Sequence, residues 1–512
     1  MIMIELTTPQ TVNGRRAAYQ SLWLLIRVYW AWQSGQPKVR LDDLKGLLSD
    51  ARSLRMAISR AFRDFGEWGI KVGWGEDIQR DPRFLNTDRR SQGPFWLTGT
   101  EAAKLAIHVD QHLASAEDIT AYLGLPQPYP AQTSPINQTV TDLAFWQQII
   151  LARQASRLGR LASPVQGEGE MTALTALKTA HQLAIDSAQE AHVLLAQAGV
   201  WRRLGDGRQA RRLLRQLREQ RRNKQVAGHD FLDAMEQILA AWCAYDQRDF
   251  GLATTLLAQL HGSPNLTGLL RYHPQIRFEW HNLSALVLRT RALAFPTDLA
   301  ATDWARQSLQ HFETSLMAAF ESNSMDAAQQ GAANLGMACW LLHCAKLIDG
   351  PDPTPQAVQR IAFSEWLCQQ SGLSHHSAWN PLYLMRIARG HCNTSSRPSF
   401  SDFQCYAPWP PTALRDWARP FADALPQQGG WHDIAASYLQ EHDSGRRRYP
   451  VSQVCALLFE RAWYSAHAAQ PHVAHAALQR LQGLLPELSR ADREYYRGMW
   501  SQLPAEIAPI PG

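Results

Sequence analysis

Cysteine is scarce and scattered. The seven residues, at 243, 339, 344, 368, 392, 405 and 455, are odd in number and form no C-x-x-C pair. That pattern argues against a disulfide framework and for reduced thiols in a cytosolic protein. Long apolar runs are missing too. The greasiest early stretch, Leu22 to Trp32, contains Arg27 and is too short to cross a bilayer. The opening MIMIELTTPQ lacks the basic region and cleavage site of a secretory signal. No membrane association is expected.

Enzyme signatures are equally absent. There is no G-x-x-x-x-G-K-S/T phosphate loop, no G-x-S-x-G elbow and no H-E-x-x-H helix. His375, His376, His391, Cys392 and Cys405 cluster in sequence, but not at zinc-finger spacing. His467, His472 and His475 share a hairpin and read as ordinary polar or core histidines. The chain is therefore expected to be non-catalytic, with no metal and no cofactor.

What is present is a large helix-forming composition. At 512 residues, with 45% apolar and 19% charged, the chain is globular and long enough for more than one domain. Ala, Leu, Gln and Arg dominate, which favours helix. The net charge of +5 is small for this length, so local patches matter more than the total.

Two such patches stand out. Residues 51–63 carry four arginines and no acid. Leu54, Ile58, Ala61 and Phe65 form one apolar helical face, while Arg52, Arg55, Ser59 and Arg63 fall on another. Arg60 lies at the side. Ile70, Val72 and Trp74 then alternate with Lys71 and Gly73, a strand pattern, and a second short strand is expected at Phe95–Leu97. The loop between them holds Arg89 and Arg90. Two helices precede this stretch, at Arg15–Trp32 and Leu41–Leu48, and another is expected over Thr98–Ala114. Glu117–Leu123 reads as a short further helix.

The second patch spans residues 202–224, with ten Lys or Arg against two acids. Arg211, Arg215, Arg218 and Arg222 share a face opposite Leu213 and Leu217, with Arg208 one turn before. Four arginines on one rigid face suit a phosphate backbone or an acidic protein.

Residues 124–138 hold four prolines and no hydrophobic period, which marks a linker. From residue 141 onward every segment reads as helix. Two hairpins, roughly 185–220 and 231–261, each set a polar turn before an alanine (Ala210, Ala253) and a leucine-rich second helix. Small residues there let paired helices approach closely. The two alanines are 43 residues apart, longer than the regular tetratricopeptide period of 34. Looser hairpins follow at about 276–312 and 451–484.

Helix, helix, basic helix, strand, loop, strand resembles a winged helix-turn-helix domain, and the later hairpins resemble a degenerate tetratricopeptide-like repeat. The expected architecture is thus mainly α. A winged-helix domain over 1–125 and a Pro-rich linker over 126–140 would precede a TPR-like solenoid over 141–512. The resemblance implies a cytoplasmic regulator binding double-stranded DNA through Arg52, Arg55, Ser59, Arg60, Arg63, Lys71, Arg89 and Arg90. Its repeats would bind a protein or peptide partner or hold a homodimer. The alternative is a non-catalytic scaffold of a multi-protein complex, such as a defence or stress system. There the winged helix and the basic face at Arg208, Arg211, Arg215, Arg218 and Arg222 would dock protein or nucleic acid.

Overall fold

The computed structural model describes residues 1–36, 38–40, 42–44, 54–75, 93–125, 136–162, 171–224, 230–322, 324–371, 377–392, 430–447, 449–488, 490–500, 503–504 and 507. The protein is mainly helical. Its N-terminal part is more strand-rich than the sequence suggests. Strands β1 (Ile2–Glu5), β2 (Thr11–Val12) and β3 (Arg15–Arg16) precede helix α1 (Tyr19–Gln33). So the expected helix from Arg15 starts four residues later, and its first residues pair as a strand instead. The reason is a tight hairpin at Asn13-Gly14, where both residues take positive φ, at 50° and 75°. That is the two-residue turn matching strand twist.

A second correction concerns Thr98–Ala114, read as one helix. It is instead a single helical turn, α3 (Gly99–Ala102), followed by β6 (Leu105–Val109) and β7 (His112–Leu113). Between α1 and α3 come the 3-10 turn Asp42–Leu44, α2 (Leu54–Trp68), β4 (Gly73–Trp74) and β5 (Phe95–Trp96). The larger sheet runs β3-β2-β1-β6-β7, with β1 parallel to β6 and the other pairs antiparallel. Helix α4 (Ala116–Leu123) follows, opened by a Ser115–Asp118 capping box and closed by Gly124 at φ +65°.

Helix α1 is the centre of this part. Leu22, Leu24, Leu25 and Ile26 are fully buried, and Trp23 and Val28 nearly so. Even Arg27 is fully buried, with Asp43 3.4 Å away. The core around α1 continues across the proline-rich stretch. It takes in Phe145, Trp146, Leu177, Val193 and Tyr272.

Beyond residue 136 the described residues are helices without strands. They are α5 (Ile136–Arg157), α6 (Ala173–Leu183), α7 (Ser187–Arg203), α8 (Gly207–Lys224), α9 (Asp230–Asp246) and α10 (Phe250–Gly262). Then come α11 (Pro264–Tyr272), α12 (Pro274–Ala294), α13 (Ala301–Glu321), α14 (Met325–Cys344), α15 (Thr354–Gln370) and α16 (Trp379–Cys392). The last are α17 (Gly430–Asp443), α18 (Val451–His467), α19 (Pro471–Leu484) and α20 (Arg490–Trp500). Antiparallel neighbours such as α7–α8, α9–α10, α12–α13 and α14–α15 pack as hairpins, with Ala210 and Ala253 fully buried at two of the crossings. Helices α7, α9, α12, α14, α16 and α18 also touch one another in that order. They form an inner row, with their hairpin partners outside.

Candidate nucleic-acid interface

Helix α2 is anchored on one side only. Ala57, Ile58, Ala61 and Phe65 are buried, while Met56, Ser59, Arg60 and Arg63 are exposed. Its seat on α1 is fixed by Ser21, whose hydroxyl donates to Asp64 at 2.6 Å. Under it lies a compact aromatic stack. Phe62 packs against Phe65 at 5.5 Å and against Phe95 of β5 at 5.8 Å. Phe95 also exchanges both backbone hydrogen bonds with Val39, at 2.7 and 2.8 Å. The β4–β5 hairpin is therefore clamped between α2 and the segment leading to the 3-10 turn.

Close approach within the hairpin depends on a glycine. A Cβ at Gly73 would lie 2.4 Å from the Trp96 ring. That ring is held by its own indole N–H, which donates to the Gly75 carbonyl at 3.1 Å. The exit from α2 is fixed as well. The Lys71 amide donates to Glu101 at 3.1 Å. Lys104 and that amide hold the Glu101 carboxyl below the usual range.

Among the expected site residues, Ser59, Arg60 and Arg63 share the exposed face of α2, and Lys71 is exposed just beyond it. Arg63 also sits near its own helix's acids, 3.6 Å from Asp64 and 3.8 Å from Glu67. Both pairs involve a solvated arginine, so they restrain it little. Arg55 is on α2, but its side chain lies outside the described residues, as do Arg52, Arg89 and Arg90 altogether.

The face on α8 is less uniform than its spacing suggests. Arg208 and Arg215 are exposed. Arg218 instead reaches Glu236 of α9, with Nε donating at 2.7 Å. Its charge is thus partly spent on joining two helices. Arg211 is half-buried, and the Arg222 side chain lies outside the described residues. The polar pairs that hold α1 to α2 and to the 3-10 turn, Ser21–Asp64 and Arg27–Asp43, do not stand out in the sequence as a group. The one signal is a lone arginine in an apolar run, which needs a buried partner.

No helix among the described residues is long and apolar enough to cross a membrane. None of them form a group of three or more His, Cys, Asp or Glu able to hold a metal. Compared with known families and with curated proteins, the chain matches none.

Proposed function

We propose that the protein is a cytoplasmic DNA-binding regulator. In this reading α1, the 3-10 turn, α2 and the β4–β5 hairpin act as a winged helix-turn-helix. Helix α2 enters the major groove and the hairpin follows the phosphate backbone. The observation that carries it is the division of α2. One face is locked to α1 and the hairpin, and the other presents Ser59, Arg60 and Arg63 to solvent. Arginine and serine are residue types that read base edges and phosphates. The helical repeats, in a TPR-like arrangement, then bind a protein or peptide partner or pair two chains. Arg208 and Arg215 give them a basic surface of their own.

The test is a salt-titrated shift assay on the full chain with duplex DNA. Arg60→Ala and Arg63→Ala should each weaken binding and reduce the log–log salt slope by about 0.9 for every phosphate that the variant no longer neutralises. Isotherms and slopes matching the wild type in both variants would defeat the proposal.

A second reading is a scaffold subunit whose α2 face docks protein. Met56, 60% exposed beside Ser59 and Arg60, favours it. Met56→Glu would then abolish partner capture and leave DNA affinity unaffected.

A further inference from the structure

The inner row of helices does not lie flat. Four steps separate α9 from α18, which at about 8–10 Å per packed helix would place them roughly 30–40 Å apart. Helix α20 is nevertheless tied to both ends. Tyr496 packs on Phe459 of α18 at 6.3 Å and donates to the Ser452 carbonyl at 3.4 Å. One turn earlier on α20, Asp492 accepts from Arg248, just past α9, at 3.0 and 3.2 Å. The Arg248 guanidinium also lies over the Tyr495 ring at 5.1 Å. The row must curve into an arc that α20 closes, so its inner side chains face a bounded space.

Those side chains are polar and aromatic. On α16, Trp379, Tyr383, Arg386 and Arg389 follow one another at helical spacing, in one stripe. The Tyr383 hydroxyl donates to Asn334 of α14 at 3.3 Å, and the Asn334 amide donates to Asn282 of α12 at 3.0 Å. Burial pushes the Tyr383 hydroxyl up, while the cations of Arg289 and Arg386 act in the other direction. Tyr245 of α9 is also close enough to act on it. Tyr245, Arg289, Tyr383 and Arg386 each keep part of their surface in solvent.

Its charges do not balance. Glu460 is the one carboxylate shared by Arg386 and Arg389, at 3.7 and 3.4 Å. Both distances are too long for hydrogen bonds. Arg386 Nε, Arg389 Nη1 and Glu460 Oε2 are buried without a hydrogen-bond partner among the described residues. Arg289 pairs with no carboxylate among them either. Arg386 and Arg389 thus share one acid, Arg289 acts on the same Tyr383, and Asp492 of α20 is already engaged by Arg248. Beside cations so poorly solvated, an added anion is stabilised far more than in water.

We propose that the arc enclosed by α9, α12, α14, α16 and α20 is a binding site for a small organic anion bearing a phosphate or carboxylate group. Arg289 and Arg386 hold the oxyanion. Tyr245 offers its hydroxyl to it, Tyr383, whose proton is given to Asn334, lines the site beside it, and Trp379 covers the rest of the ligand. The site is separate from the α2 face and does not depend on DNA binding.

Isothermal titration calorimetry of the full chain with inorganic pyrophosphate and with citrate tests this. At least one should bind at a single site, and which one binds separates a phosphate from a carboxylate ligand. Arg289→Gln and Arg386→Gln should each weaken binding by about tenfold or more, the loss expected for a charge-assisted hydrogen bond. Arg289→Gln breaks no ion pair among the described residues, so it reports on the site even where Arg386→Gln fails to fold. Arg306→Gln, on an outer helix, should bind like the wild type. Absence of binding by both anions overturns the proposal, as does unchanged affinity in Arg289→Gln.

Discussion

Arg27 and His281 meet burial in opposite ways. An arginine keeps its proton at any accessible pH, so a buried one must find a counter-charge. Arg27 has Asp43. A histidine can instead give up its charge. Burial pushes His281 down to about 3, with His311, Arg277 and His261 adding to the effect. The two imidazoles face each other Nδ1 to Nδ1 at 2.7 Å, so one donates and the other must be unprotonated there. The unfolded chain takes up a proton near the ordinary value of 6.5, the folded chain only near 3. Stability from this site is therefore complete above about 6.5 and declines as pH falls toward 3. Thermal melting should show that slope between about pH 7 and about pH 5. His281→Gln should flatten it, and an equally steep decline in the variant would place the pH sensitivity elsewhere.

Elements whose packing depends on a close approach are the most exposed to single substitutions. In the β4–β5 hairpin, Gly73→Ala drives a Cβ into the Trp96 ring, which is pinned by its hydrogen bond to Gly75. Overpacking of this kind costs about 1–3 kcal/mol. Hydrogen exchange should show faster amide exchange at Phe95 and Trp96, with α12 unchanged. Equal protection in both proteins would mean that the hairpin absorbs the methyl group. The same hairpin shows what a sequence reveals about such elements. The buried period of α2, through Ile58, Ala61 and Phe65, is visible because only one face of that helix is covered. Strand β6 is hidden because Leu105, Val109 and Leu113 recur at i+4, a spacing that strands and helices share. The intervening Ile107, buried at i+2, is what distinguishes them. The Asn13-Gly14 turn is a usable signal for β2 and β3. Helix α1 is buried nearly all round, so its apolar pattern shows its existence but not its central place. The Arg289–Arg386 cluster has no local signal, since curvature of the whole row brings it together.

At the scale of the whole molecule, the N-terminal part and the helical array are built on a shared seam. Tyr19 of α1 meets His273 edge-on at 5.5 Å, and Tyr122 of α4 meets Tyr272 at 5.9 Å. A Cβ at Gly268 of α11 would come within 2.7 Å of Ala121, so α4 and α11 lie almost backbone to backbone. Polar contacts border the seam. Arg271 pairs with Asp110, and Arg277 donates to Thr8 at 3.1 Å while also holding Glu321 of α13 at 2.7 Å. Residues 1–125 produced alone should therefore expose Tyr19, Tyr122 and Leu123. They should melt at a lower temperature than the full chain and bind a hydrophobic dye. A fragment that melts as high as the full chain, without dye binding, would show that the seam adds nothing to the stability of the N-terminal part. The seam also adjoins the helix that carries part of the proposed anion site. Helix α12 carries Arg277 at one end and Arg289 toward the other, and α1, which seats α2, touches His273 immediately before α12. Packing at the seam thus bears on the same helix that carries the proposed anion-binding Arg289.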